Sequence, residues 1–168
     1  MNRKSEQLLT NCITENKENI YRLAYSYVKN KEDALDIVQD SIYKAMTSIE
    51  LLKDSTAVKS WFYRIVVNTS LDFLRKHKRV HPMDLEKLEF YALGAEDSYM
   101  DIDLVRTLAD LPPKYREVVV LRFFEDMKIE EVAEVLQENV NTVKTRLYQA
   151  LRLLRAKLKD TSLKETNG

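Results

Sequence analysis

Glycine and proline are nearly missing from this chain: Gly94 is the only internal glycine, and the prolines are Pro82, Pro112 and Pro113. A glycine-rich, phosphate-cradling loop is therefore excluded, and long runs of helix formers without a breaker predict an all-α fold. Cys12 is the lone cysteine, so no internal disulfide forms, and it reads as a small buried apolar residue rather than a nucleophile. No stretch approaches the ~18 apolar residues needed to cross a bilayer. The opening MNRKSEQLLTNCITENKEN lacks the apolar run of a signal peptide, so a cytoplasmic protein is expected. The two histidines, His77 and His81, lie four apart but have no third ligand beside them, cations as neighbours and Pro82 next in line. Neither a metal nor a cofactor is expected from them.

A dominant charge is missing too, with 27 basic against 27 acidic side chains, but the charges are strongly segregated. Between Lys59 and His81 the cations Lys59, Arg64, Arg75, Lys76, Lys78 and Arg79 face only Asp72. From Asp84 to Asp110 the sign reverses, eight acids facing only Lys87 and Arg106. A second basic zone, with Lys144, Arg146, Arg152, Arg155, Lys157 and Lys159, has no acid between its ends.

Periodicity supplies the elements. Asn19 to Lys29 carries Ile20, Leu23, Ala24, Tyr27 and Val28 on one face. After the polar turn Asn30-Lys31-Glu32, a second helix places Leu35, Val38, Ile42, Ala45 and Ile49 in register. A third, Lys59 to about Arg79, aligns Phe62, Ile65, Val66, Thr69 and Phe73. Pro82, the acidic run and Gly94 mark a linker. Asp103 to Leu111 reads as a short helix, and Pro112 and Pro113 open the next, where a missing amide hydrogen costs little. The expected organisation is two small helical domains: residues 1–80, an acidic linker 81–102, residues 103–160, and a flexible tail 161–168.

Met127 to Leu158 reads as two helices joined by a tight turn. Ile129, Val132, Ala133 and Leu136 stripe the first; Val143, Leu147, Ala150, Leu151 and Leu154 stripe the second. Away from that stripe the second helix presents Asn141, Thr142, Lys144, Thr145, Tyr148 and Gln149, the polar mixture that meets base edges in a major groove. At Gln137-Glu138-Asn139 the turn is expected to rest on Asn139 in the left-handed conformation. The third helix of the first domain is expected to combine Trp61, Tyr63, Arg64, Asn68 and Lys76 on its exposed side. Cations hold phosphates, rings stack unpaired bases and an amide reads a base edge, so this mixture suits single-stranded DNA. The two aromatics would serve equally well as core. The basic cluster Arg75, Lys76, Lys78, Arg79 is suited to phosphate.

Three blocks, in order, resemble one family. YRLAYSYVKNKEDALDIVQDSIYKAM is similar to the polymerase-binding region of extracytoplasmic-function sigma factors, KSWFYRIVVNTSLDFLRKHKR to their minus-ten and melting region, and LPPKYREVVVLRFFEDMKIEEVAEVLQENVNTVKTRLYQALRLLR to their minus-thirty-five reader. The wording is most similar to the sigma-V group, associated with cell-envelope damage. The resemblance implies a non-enzymatic polymerase subunit with no small-molecule substrate, whose partners are core RNA polymerase, promoter DNA and an anti-sigma factor, often membrane-bound. It also implies roles: Asp33, Asp36, Gln39, Asp40 and Tyr43 on the polymerase; Trp61, Tyr63, Arg64, Asn68, Arg75, Lys76 and Arg79 at the minus-ten element, with the loop Leu52 to Lys59 as a pocket for a flipped base. Lys144, Thr145, Tyr148 and Gln149 would address minus-thirty-five bases, beside Asn141 and Thr142, with Arg146 and Arg152 nearer the phosphates. The competing reading is an independent helix-turn-helix regulator, which needs neither a polymerase face nor a second DNA site.

Overall fold

A computed structural model describes residues 3–77 and 107–166, with side chains through Lys159. Every regular element among the described residues is helical: α1 (Arg3–Glu15), α2 (Lys17–Val28), α3 (Lys31–Thr47), α4 (Val58–His77), α5 (Pro113–Val119), α6 (Ile129–Leu136) and α7 (Val140–Thr166), with short 3₁₀ turns at Ile49–Leu51 and Ser55–Ala57. The expected linker and Arg79 lie outside the described residues, as does His81.

In the first unit α2, α3 and α4 pack on one another, and α1 covers α4 through Leu9 and Cys12. Burial raises the Cys12 thiol above its ordinary pKa, which keeps it protonated. The α2–α3 turn is built as its polar residues require. Lys29 takes the left-handed conformation at φ 55° and donates its amide to the Tyr25 carbonyl. Asn30 then caps α3 by accepting from the Asp33 amide at 2.9 Å.

The register of α3 differs from the expected one. Ala34, Ile37, Ser41 and Ala45 are buried, Val38 and Ile42 are half-buried, and Leu35 is 51% exposed. The helix is wedged between α2 and α4, so its small residues take the interior. There the Ser41 hydroxyl is satisfied by the Ile37 carbonyl at 2.7 Å. Close approach selects small side chains, and the larger ones are turned outward.

In the second unit residues 107–110 are helical, and Leu108 and Leu111 are buried. Pro113 opens α5 as its fixed φ favours. A π-helical turn, Val120–Phe124, ends that helix, closed by the Glu125 amide on the Val120 carbonyl at 3.0 Å. Asp126, at φ 51°, then reverses the chain toward α6.

The turn between α6 and α7 corrects the expectation for Asn139. The left-handed residue is Gln137, at φ 56°. Its amide reaches the Glu134 carbonyl at 3.3 Å, and the Glu138 amide reaches Ala133 at 3.0 Å, the double bond of a Schellman end. Asn139 instead caps α7, accepting from the Thr142 amide at 2.7 Å. A residue that caps the next helix cannot also supply the preceding left-handed step. Asn139→Ala is therefore expected to lower stability by about 1 kcal/mol. Asn139→Gly should give no gain in denaturant unfolding, whereas a left-handed Asn139 would be stabilised by glycine.

Candidate nucleic-acid interface

Helix α3 turns Asp36, Gln39, Asp40 and Tyr43 to solvent, with Tyr43 69% exposed. Asp33 is half-buried in the first turn, where a carboxylate favours the helix dipole. Asp40 pairs with Lys44 at 3.3 Å, and Lys44 also donates to Thr69 at 3.2 Å, fastening this face to α4. Leu35 and Met46, assigned to the core or passed over in the sequence, join Gln39 and Tyr43 in one exposed stripe. An apolar stripe with carboxylates alongside marks a partner surface more clearly than acids alone.

On α4, Trp61, Arg64, Asn68 and Arg75 lie along one stripe about 21 Å long. Asn68, Arg75 and Lys76 are exposed, and Trp61 and Arg64 are half-buried. Arg75 pairs with Asp72. Tyr63 does not belong to this stripe. Two residues turn a helix by about 200°, so Tyr63 lies nearly opposite Trp61 and is fully buried. The expectation that it shares the exposed side is corrected. A cleft at the start of the stripe is lined by Leu52, Asp54 and Ala57 of the preceding loop, by Trp61 and Arg64, and by Glu134 of α6. Asp54 stiffens that loop by accepting from the Thr56 amide and hydroxyl at 3.0 and 2.7 Å.

Helix α7 exposes Asn141, Lys144, Thr145, Tyr148, Gln149 and Arg152, while Thr142 is half-buried. Val143, Ala150 and Leu154 anchor the opposite side in the core. Tyr148 is 70% exposed. The Tyr115 hydroxyl donates to Gln149 Oε1 at 2.8 Å, orienting its amide. Arg146 departs from its expected place near phosphates: it is half-buried and pairs with Glu138 at 3.2 Å, bracing the turn.

The two units meet through a set of polar contacts that the sequence did not disclose. The Tyr63 hydroxyl donates to Glu125 Oε2 at 3.1 Å, and Lys59 Nζ donates to the Glu125 carbonyl at 3.4 Å. Farther along, the Tyr27 hydroxyl donates to Glu117 Oε2 at 2.7 Å, and Lys29 Nζ to the Ala109 carbonyl at 3.1 Å. Glu125 is 1% exposed. Burial pushes its carboxyl up to about 7, opposed by the bond from Tyr63 and by the charges of Arg22 and Lys59. Burial likewise raises the Tyr63 phenol far above its ordinary value, with the Glu125 charge adding to the effect, so the phenol remains a donor. In the sequence, Glu125 and Asp126 at the end of the mostly apolar stretch Val118 to Phe124 were the only signal.

Among the described residues no group of three or more metal-ligating side chains gathers, and no helix is long and apolar enough to cross a membrane. His77 stacks on Phe73 with ring centroids 4.0 Å apart.

Comparison with known proteins matches these geometries in chain order. Residues 12–80 match the family described as Sigma-70 region 2, and residues 101–154 the family described as Sigma-70, region 4. The RNA polymerase sigma factor SigV of Bacillus subtilis (strain 168) is 54% identical over 154 residues, covering 92% of this chain and 93% of that protein. The ECF RNA polymerase sigma factor SigW of the same organism is 31% identical, covering 86% and 85%. Among solved structures, the sigma factor RpoE of Bartonella quintana, co-crystallised with the anti-sigma factor NepR, shares the fold. Its TM-score is 0.71 at 21% identity, covering 92% of this chain and 96% of that one.

The buried carboxyl sets a pH dependence. Near pH 4 and below, Glu125 is protonated in folded and unfolded chains alike. Between its ordinary value of 4.5 and about 7 only the folded chain keeps the proton, so stability falls as pH rises through that window. The loss is expected to reach up to about 3 kcal/mol by pH 8. Glu125→Gln should flatten this part of the profile, read by denaturant unfolding from pH 5 to 8; an unchanged profile would remove Glu125 as its source.

Proposed function

This chain is a member of the extracytoplasmic-function sigma factors of bacterial RNA polymerase, and from that premise we propose which of its surfaces performs each part of promoter-specific initiation. It binds core polymerase and directs it to promoters; the polymerase is the catalyst and this chain the initiation factor. The observation that carries the reading is the pairing, in one chain and in order, of both sigma regions with 54% identity to SigV along nearly the whole length.

The polymerase grip belongs to α3. Asp36, Gln39 and Asp40 supply charge and amide contacts, with Asp33 at the helix start. Leu35, Tyr43 and Met46 supply the apolar area that lets such a contact hold. The minus-ten strand runs along Trp61, Arg64, Asn68, Arg75 and Lys76, continuing toward Arg79. The loop before α4 receives an extruded base, whose lost stacking costs a few kcal/mol that Trp61 and Arg64 help recover. The minus-thirty-five duplex meets Asn141, Thr142, Lys144, Thr145, Tyr148 and Gln149, with Arg152 on phosphate and Arg146 holding the turn that aims them.

The domain limits follow the roles: residues 1–80 for polymerase and minus-ten, 81–102 for an acidic crossing segment, and 103–160 for minus-thirty-five. Tethering makes two weak DNA contacts act together. The acidic segment suits a basic nucleic-acid channel, which it occupies before RNA does. In the resting cell the chain is cytoplasmic and held by an anti-sigma factor at the inner face of the membrane, and its regulon answers cell-envelope stress. The solved complex of RpoE with NepR supports the partner class. An independent helix-turn-helix regulator would have no use for the apolar, acid-flanked face on α3.

Run-off transcription with core polymerase on promoter fragments from the source genome tests the assignment. New discrete transcripts are expected. Tyr43→Asp or Asp36→Arg should weaken core binding about tenfold. Asn68→Ala should abolish transcripts while leaving core binding intact. Specific duplex binding with neither core binding nor transcripts would overturn the reading.

A further inference from the structure

We propose that Tyr115 is a specificity-determining positioning residue of the C-terminal reader: its hydroxyl holds the side-chain carbonyl of Gln149, so that Gln149 offers DNA its amide hydrogens and selects guanine. This rests on the reading of α7 as the minus-thirty-five helix and deepens it by one base.

A glutamine that nothing holds is an ambiguous reader. Its last torsion is broad and roughly two-fold, so carbonyl and amino group exchange places at little cost. Both arms together match adenine, Oε1 accepting from N6 while Nε2 donates to N7. The amino arm alone matches guanine, whose N7 and O6 are both acceptors in the major groove. The residue type does not choose between these bases. In the folded chain the choice comes from α5, where a hydroxyl 34 residues away in sequence donates to Oε1 at 2.8 Å. Fastening Oε1 toward α5 turns Nε2 away from it, and the adenine pair of bonds would then require the Tyr115 bond to be given up.

Both ends of this bond are set by packing. Helix α5 lies against α7, and Ala150, next to Gln149, is fully buried. At the start of α5 the amides of Tyr115 and Arg116 both reach the Pro112 carbonyl at 3.0 Å. Arg116 is buried and donates to the Ala109 carbonyl at 3.0 Å, and the Tyr115 ring packs on the core. Lys114 Nζ stands 5.0 Å from the centre of that ring. A cation is drawn to the π-face of a phenol, and by withdrawing electron density it makes the hydroxyl a better donor. Gln149 itself is exposed, with Thr145 and Arg152 exposed beside it one turn before and after. An amide held in advance also loses less rotamer freedom when a base arrives.

Polymerase holoenzyme formed with this chain, challenged with promoter fragments randomised across the minus-thirty-five element, reads the assignment base by base. Gln149→Ala marks the position, the one at which preference is flattened. There the wild type is expected to favour a guanine–cytosine pair over an adenine–thymine pair roughly fivefold. Tyr115→Phe, which keeps the ring and loses only the hydroxyl, should bring the two within about twofold and leave the other positions as in wild type. A domain merely loosened would lose binding at every position alike, so a change confined to one base separates positioning from stability. Gln149→Glu, an acceptor on both arms, keeps a partner for Tyr115 and should lose guanine at that position. An adenine–thymine preference in the wild type, an unchanged preference in Tyr115→Phe, or a Gln149→Ala selection identical to wild type would each overturn the proposal. Failure of the larger reading looks different: no sequence is then enriched in a core-dependent way, and the sigma assignment falls together with the role of Tyr115.

Discussion

Helix α4 is committed on every side, and the rest of the structure is arranged around that commitment. Phe62, Val66 and Val67 are buried in the packed interior, and Thr69 and Ser70 lie close against neighbouring helices. The Tyr63 side is fully buried and bonded to an acid of the C-terminal domain. What is left is the narrow stripe from Trp61 to Arg75, and even that begins under α6. One helix is thus core and domain contact at once, and the stripe proposed for the minus-ten strand is bordered by the second domain.

The domain contact combines two kinds of surface: buried apolar residues of both units run together in one cluster, and polar pairs such as Tyr63 with Glu125 lie within it. An apolar seam of the same size would resist separation, whereas a carboxyl kept from water is a liability. The Glu125 carboxyl is tolerated because burial raises it to about 7, which favours the neutral form below that pH, and because it receives the Tyr63 hydrogen bond. The exposed faces of α3 and α7, proposed for polymerase and duplex, stand outside this contact.

Much of the backbone was legible because it is encoded locally. Asn30 caps α3, Pro113 opens α5, and the apolar stripe of α7 settles as its spacing predicts. The α3 register was not, because counting apolar residues favours Leu35, while close packing between two helices favours Ala34 and Ser41. Tyr63 was grouped with Trp61 by chemistry although helical phase sets them apart. Asn139 was given the left-handed step because its residue type tolerates it, yet capping α7 had the stronger claim. Glu125 carried almost no sequence signal, since the partner that gives it meaning, Tyr63, is far along the chain. Leu35 and Met46 became visible as surface only once α3 was packed.

The most direct measurement is the distance between the two domains, by fluorescence energy transfer between labels at the exposed Glu50 and Lys159 in a chain with Cys12 replaced by alanine. One short distance is expected in the free chain, lengthening when core polymerase is added and before any promoter is present. A free chain already at the long distance, or a short distance unchanged by polymerase, would contradict the account.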